Sequence, residues 1–213
     1  MLAQLGAHLT KLDELRNSHK HASLHHFGIT ADPSKYQGNL RKLVLSHVDR
    51  YDIHMGTYLR YAHVVLTYMV LEDRLHAFGQ LILATRRGAA FVPDKGKGSM
   101  LDKFERYLCV LSLPAPSKET VEPLLLIRNC LVHYRGCVAD YGKRDSLQRY
   151  LPNLIGVTID AQNYLTLTTE GCLTLQERAS QYLHAINSAA GFRLWIPPEV
   201  QRNLQKIFSR SKQ

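Results

Sequence analysis

The chain is organised around the stretch Ile127-Arg128-Asn129-Cys130-Leu131-Val132-His133-Tyr134-Arg135-Gly136. It predicts a helix from about Thr120 to Gly136, because Pro123 suits the first turn and glycine suits a left-handed position at the end. Apolar residues recur along this helix at intervals of three and four, and they predict one buried stripe: Leu124, Ile127 and Leu131. We therefore expect the helix to pack against a core.

Three polar side chains interrupt this apolar helix. Asn129 and His133 lie one turn apart and share a face, whereas Arg128 lies roughly 140° around the helix from His133. Arg128 and His133 converge only if the long arginine side chain bends round or if a second copy of the helix completes the site. The spacing therefore already suggests a dimer. An ordinary core helix, with a solvated arginine and a histidine favoured by the helix dipole, is the alternative.

The string Arg-Asn-Cys-Leu-Val-His-Tyr-Arg-Gly resembles the signature of HEPN domains. In that signature an arginine, a polar residue, three mostly small or apolar residues and a histidine lie on one helix. Together with an upstream acidic stretch at 68–75, a hairpin-like stretch and a later amphipathic helix, the resemblance covers roughly residues 57–190. It implies an all-α fold, a HEPN-like four- to five-helix bundle with a small β-hairpin insertion and extra N- and C-terminal helices.

The upstream stretch supplies an acidic partner for the motif. Residues 64–71 are apolar on nearly every face, which is typical of a central bundle helix and makes the neighbouring Glu72 and Asp73 conspicuous. A buried carboxylate needs a cation, so one of these two could orient the Arg128 guanidinium. Equally, Glu72 or Asp73 could pair locally with Arg74 or His76, or be solvated.

Hydrophobic periodicity divides the chain into three segments. Residues 1–38 are predicted to form an N-terminal helix and a His-rich loop, residues 39–191 the helical bundle, and residues 192–213 a basic amphipathic C-terminal helix. The first helix is marked by Leu2, Leu5, Leu9, Leu12 and Leu15, and it is expected to fray into a loop from Asn17 to Ser34. The loop histidines (His19, His21, His25 and His26) are more typical of a solvated turn than of a metal site.

The remaining elements follow from capping residues and alternation. Two helices are expected on either side of Gly56, and Ser99 with Asp102 should cap a further helix after a basic loop at 88–99. Alternating apolar residues at 155–159 and 165–167 predict a small hairpin. A capping box formed by Thr174 and Glu177 is then expected to begin the last helix of the bundle.

Composition favours a folded protein with a polyanionic partner. The 213 residues are 45% hydrophobic, enough for a continuous core, and carry a net charge of +9. Basic residues concentrate in three segments, 86–106, 128–149 and 193–213, and the motif helix opens the second of them. The four cysteines show no C-x-x-C pairing, and no run of apolar residues is long enough to cross a membrane. We therefore expect reduced thiols, no metal site and a cytoplasmic location.

The resemblance implies metal-independent cleavage of RNA, in which a ribose 2′-OH attacks the adjacent phosphate, without a cofactor. His133 would exchange the proton, Arg128 would donate to the phosphate and Asn129 would orient either group. Residues expected to support this site are Glu72, Asp73 and Tyr134. Those expected to contact RNA are Arg135, Lys143 and Arg144. The resemblance also implies a homodimer with facing motifs, and a role as a toxin or in anti-phage defence.

One departure from the family pattern concerns partners. In the toxin branch paired with minimal nucleotidyltransferase antitoxins, a tyrosine falls two residues after the histidine. Here Tyr134 follows His133 directly and Arg135 takes the second place, which weakens the expectation of that antitoxin. An antitoxin or other regulatory partner stays open. The competing hypothesis is a catalytically silent HEPN bundle that serves as a dimerisation or nucleotide-binding module in a larger assembly.

Overall fold

A computed structural model describes residues 2–26, 28–85 and 97–189 of the chain. These residues form seven α-helices: α1 (Leu2–His25), α2 (Gly38–Asp49), α3 (Gly56–Thr85), α4 (Met100–Val110), α5 (Glu122–Tyr134), α6 (Arg144–Tyr150) and α7 (Thr169–Ala189). Two short strands, β1 (Val157–Ile159) and β2 (Leu165–Leu167), form an antiparallel hairpin between α6 and α7. The expected all-α architecture with a small hairpin is confirmed.

Helix α3 is the central element of the bundle. It packs against α1, α4, α5 and α7, which gives a five-helix arrangement within the described residues. Of the six apolar residues that the sequence pattern predicts to face inward, Phe78 is half-buried and the others are buried: Val64, Tyr68, Leu71, Leu75 and Ile82. The surrounding helices add side chains to the same core, among them Leu9, Leu108, Ile127 and Leu175. Burial of these apolar side chains is the main force that holds the bundle together.

The N-terminal helix is longer than its sequence predicts. The expected loop from Asn17 is wrong, because α1 continues to His25 and carries the histidines at 19, 21 and 25 on a helix. Contacts with α2 and the turn after it hold the second half in place. The Lys20 ammonium lies 2.8 Å from a carboxylate oxygen of Asp52, and the Ser23 hydroxyl lies 2.7 Å from His47 Nε2.

The inner face of α1 is also partly charged. Leu2 and Leu9 are buried as expected, but Leu12 and Leu15 each stay 45% exposed. Asp13 and Arg16 lie inside instead, within 4 Å of each other, and Asp13 is also paired with Arg60 on α3. Periodicity of apolar residues could not reveal this, because the inner positions of the second half are ionic.

The predicted break at Gly56 is replaced by a continuous helical path. A π-helical turn, Arg50–Met55, joins α2 to α3, and the Gly56 N–H donates to the Tyr51 carbonyl five residues earlier. Arg16 donates to the same carbonyl at 3.4 Å. A Cβ at position 56 would lie 2.0 Å from Arg16 Nη1, so this glycine makes room for the arginine and does not end a helix.

The other elements agree with the prediction in part. Ser99 and Asp102 form the expected capping box of α4. Helix α7 begins at Thr169, five residues before the expected start, where the Thr168 hydroxyl accepts from the Gly171 N–H at 3.0 Å. The short helix α6 was not predicted.

Parts of the prediction lie outside the described residues. These are the C-terminal helix of residues 192–213 and most of the basic loop at 88–99. In the parts of the chain that the structure describes, every helix is too short or too polar to cross a bilayer.

Candidate functional site

Helix α5 carries the motif and is buried along most of its length. It starts two residues later than expected, after a 3-10 turn at Lys118–Thr120, with Pro123 in its first turn. The predicted stripe is confirmed, since Leu124 and Ile127 are fully buried and Leu131 nearly so. Arg128 and Asn129 are half-buried, whereas His133 and Tyr134 are exposed. The polar residues therefore lie on the accessible side of a helix whose other side packs into the core.

The last turn of α5 is fixed by the chain reversal that follows it. Arg135 and Gly136 both have positive φ, 54° and 83°, and the Gly136 N–H donates to the Cys130 carbonyl at 3.0 Å. A Cβ on Gly136 would lie 2.9 Å from the Tyr61 hydroxyl, which itself donates to the Leu165 carbonyl on β2. Tyr61 thus connects α3 to the hairpin through a hydrogen bond, next to the residue that follows the motif helix.

Arg128 lies in a cleft of about 300 Å³, which we call the Arg128 cleft. Its lining residues are Tyr68, Glu72, Gly98, Ser99, Asp102, Lys118, Glu122, Leu125, Leu126, Arg128, Asn129 and Lys143. The guanidinium carbon lies 5.2 Å from the centroid of the Tyr68 ring, and Nη1 donates to Asn129 Oδ1 at 2.9 Å. Arg128 Nε is buried without a hydrogen-bond partner among the described residues.

Of the two acidic candidates, only Glu72 lines this cleft. Asp73 is exposed on the other side of α3. Within the described residues no ion pair shorter than 4.0 Å joins Glu72 to Arg128, so of the alternatives left open for Glu72, the direct pair with Arg128 is not formed. Tyr68 interacts with both, because the Arg128 guanidinium lies over its ring and the Glu72 carboxylate interacts with its hydroxyl. Burial and the Glu72 carboxylate raise the pKa of Tyr68, while Arg128 acts in the opposite direction.

Two further carboxylates, which the sequence did not indicate, line the Arg128 cleft. Among the described residues, however, no group of three or more histidine, cysteine or acidic side chains is placed to hold a metal ion. Burial would raise the pKa of Asp102, but hydrogen bonds from Lys118 and Ser99 lower it to about 2. Glu122 accepts a hydrogen bond from the Tyr150 hydroxyl at 2.8 Å. These residues come from α4 and α5, so no local spacing could have grouped them with Glu72.

His133 lies in an adjoining cleft of about 270 Å³, the His133 cleft. Its lining residues are Asn129, His133, Tyr134, Tyr141, Gly142 and Lys143. The rings of Tyr134 and Tyr141 lie 5.3 Å apart. Burial, with Cys130 and Tyr134 nearby, raises the pKa of Tyr141 to about 12, so its hydroxyl stays protonated near neutral pH.

Asn129 and Lys143 line both clefts, whereas Arg128 lines only the first and His133 only the second. The structure therefore brings Asn129 next to each motif residue without placing Arg128 and His133 in one cleft. The arginine does bend towards the shared asparagine, as its bond to Asn129 shows.

The residues expected to contact RNA divide into two groups. Lys143 is exposed and lines both clefts. Arg135 and Arg144 are exposed but line neither, and Arg144 lies 3.5 Å from Asp145 in a solvent-exposed pair.

Among residues that the prediction missed, Tyr68 could have been found because it lies one helical turn before Glu72, and Tyr141 because it belongs to the basic loop after the motif.

Comparison with known proteins gives no relative for this site. No protein-family model, no curated protein and no solved structure matches the chain. Function must therefore be inferred from the residues themselves.

Proposed function

We propose that this protein is a metal-independent endoribonuclease of the HEPN type, with a role as a toxin or in anti-phage defence. RNA would be cut by attack of a ribose 2′-OH on the adjacent phosphate, which leaves a cyclic 2′,3′-phosphate and a 5′-OH. Arg128, Asn129 and His133 would carry the reaction. The observation that supports this most directly is the position of Asn129, which lies between the two clefts and receives a hydrogen bond from Arg128.

A phosphate at the junction of the clefts would meet complementary groups. Arg128 supplies several N–H donors from one side, and Lys143 adds a cation that reaches both clefts. His133 is exposed in the last turn of α5, where solvent and an incoming 2′-OH can both reach its ring. An imidazole can take up or release a proton close to neutral pH, which is what the attack and the departure of the leaving oxygen require.

The first test is His133→Ala, assayed for cleavage of a labelled single-stranded RNA. We expect the cleavage rate to fall roughly 10²- to 10⁴-fold, the usual contribution of a general acid–base group. Stability should change little, because the imidazole is exposed and its removal leaves no cavity. His19→Ala is the matched control, since His19 is exposed on α1 outside both clefts.

The same assay in excess EDTA tests metal independence. The presence of Glu72, Asp102 and Glu122 in the Arg128 cleft makes this a demanding test, because carboxylates are the usual ligands of magnesium. Wild-type cleavage should continue unchanged. Cleavage that stops in EDTA, or His133→Ala cutting as fast as wild type with the same ends, would favour the silent-module hypothesis for this motif.

We also propose that the active form is a homodimer in which each site takes residues from both copies. Two features support this. Arg128 and His133 lie in different clefts of one chain, and the two helices that carry Glu72 and the motif expose large apolar side chains: Leu66 and Met69 on α3, and Val132 on α5. A second copy that covers these side chains would bury apolar surface and bring a second motif close to the first.

Complementation between inactive variants tests the dimer. If each site combines Arg128 of one copy with His133 of the other, equimolar Arg128→Ala and His133→Ala chains should regain roughly a quarter of wild-type activity, since half of the dimers are mixed and one of their two sites is intact. Each variant alone should be inactive. A mixture as inactive as its components would place both residues of every site on one chain.

A further inference from the structure

The two clefts differ in charge. The Arg128 cleft is lined by three carboxylates (Glu72, Asp102 and Glu122) and by three cations (Lys118, Arg128 and Lys143). Among the described residues, no acidic side chain lines the His133 cleft, whose basic side chains are His133 and Lys143. A phosphate is therefore favoured in the His133 cleft and at its junction with the Arg128 cleft, where Arg128 and Lys143 can donate to it, and is disfavoured beside the three carboxylates. A neutral polar group suits the Arg128 cleft better.

Internal contacts leave only some of these groups free to bind a ligand. Asp102 is engaged by Ser99 and Lys118, and Glu122 by Tyr150. Glu72 interacts with the Tyr68 hydroxyl but forms no ion pair within the described residues, so its carboxylate keeps acceptor capacity beyond that one contact. Lys143 likewise has no side-chain partner in the described part of the chain. The lining of the cleft thus offers the Glu72 carboxylate with its two oxygens, the Lys143 ammonium and the Asn129 amide.

From this arrangement we infer that the Arg128 cleft is a guanine-binding subsite, with Glu72 as the acceptor for the base. The inference rests on the proposed function, because it assigns the nucleotide next to the phosphate that is cut. Its volume of about 300 Å³ lies at the lower end of the range for small-ligand sites, roughly 300–1,000 Å³. A cleft of this volume has room for a single base.

Guanine matches these groups better than the other bases. Its Watson–Crick edge presents two adjacent donors, N1–H and the N2 amino group, which one carboxylate can accept together. Adenine and cytosine present a single amino group there, and uracil presents one N–H between two carbonyls. The O6 and N7 atoms of guanine are acceptors, and lysine is a common donor to them. Recognition of an unstacked base through its edges is also the usual way in which proteins read RNA sequence.

Binding of mononucleotides to the full chain, measured by isothermal titration calorimetry, tests the subsite without any cleavage. GMP should bind more tightly than AMP, CMP or UMP. IMP lacks only the N2 amino group, and we expect it to bind roughly 5- to 150-fold more weakly than GMP, the range for one well-formed bidentate contact to a base. No binding, or equal binding of GMP and IMP, would overturn the inference.

Glu72→Gln assigns the preference to one residue. The amide offers a single acceptor oxygen, so GMP and IMP should bind this variant alike. Glu14→Gln makes the same chemical change at an exposed position of α1 and should keep the GMP preference. A Glu72→Gln protein that still prefers GMP would rule out Glu72 as the acceptor. If Glu72→Gln fails to fold, the wild-type comparison of GMP with IMP still decides the question.

The two proposals fail separately. If the protein prefers GMP but does not cut RNA, the guanine subsite is supported and the nuclease proposal is contradicted. If the protein cuts RNA through His133 but binds GMP and IMP equally, the nuclease proposal is supported and the guanine subsite is contradicted.

Discussion

Helices α5 and α2 have similar apolar periodicity in the sequence but very different surroundings. Seven of the 13 residues of α5 are buried, whereas Val44 is the one buried residue among the 12 of α2. Helix α5 packs against α3, α6 and α7, while α2 packs mainly against the turns on either side of it. Leu40, Leu43 and Leu45 of α2 are consequently exposed. Periodicity therefore predicts that a helix forms, but not which helix finds a partner for its apolar face.

The largest effect expected from this comparison is on α5. Leu124→Ala removes a side chain with no exposed surface and should lower the free energy of unfolding by about 2–5 kcal/mol. Urea denaturation followed by circular dichroism measures the change. A loss below 1 kcal/mol would mean that α5 packs less tightly than its burial indicates.

An intermediate effect is expected at Gly136, where the chain reverses after α5. Helix α2 has no such reversal, because it continues through the π-helical turn into α3. Gly136 has φ 83°, and an added Cβ would lie 2.9 Å from the Tyr61 hydroxyl, so Gly136→Ala should cost about 1–3 kcal/mol. Gly142→Ala is the matched control, because a Cβ there meets no atom within 4 Å. The same denaturation experiments compare the two variants. Equal stability would contradict the strain that we expect from a Cβ at position 136.

The smallest effect is expected on α2. Leu43→Ala makes the same change as Leu124→Ala, but the Leu43 side chain is 60% exposed, and stability should shift by no more than about 0.5 kcal/mol. The measurement should be repeated at several protein concentrations. A larger loss that shrinks on dilution would show that a second copy covers α2, and the contrast between the two helices would then hold only for the isolated chain.

The sequence predicted elements that depend on local chemistry. The limits of α5 were placed within two residues, the capping box of Ser99 and Asp102 was identified, and the hairpin was found from alternation. Elements held by distant partners were missed. Helix α1 extends to His25 through charged contacts with residues more than 30 positions away, such as Lys20 with Asp52, which no local pattern contains.

The candidate site was predictable to a similar degree. The motif residues lie on the accessible side of α5, and Glu72 shares a cleft with Arg128. The helical wheel could not show that the Arg128 side chain packs on Tyr68 or that Lys118 and Asp102 complete the cleft. Those features depend on how four separate elements pack, namely α3, α4, the 3-10 turn at Lys118–Thr120 and α5, and hence on tertiary structure.

The π-helical turn at Arg50–Met55 makes the orientation of α2 depend on the number of residues between α2 and α3. An α-helix turns by about 100° per residue, and a π turn accommodates an additional residue. Loss of one residue from this turn would restore regular α-helix and rotate α2 by about 100° relative to α3, which would move Val44 out of the interior. Homologues with a deletion here should therefore show the apolar positions of α2 displaced by one residue, while those of α3 stay in register.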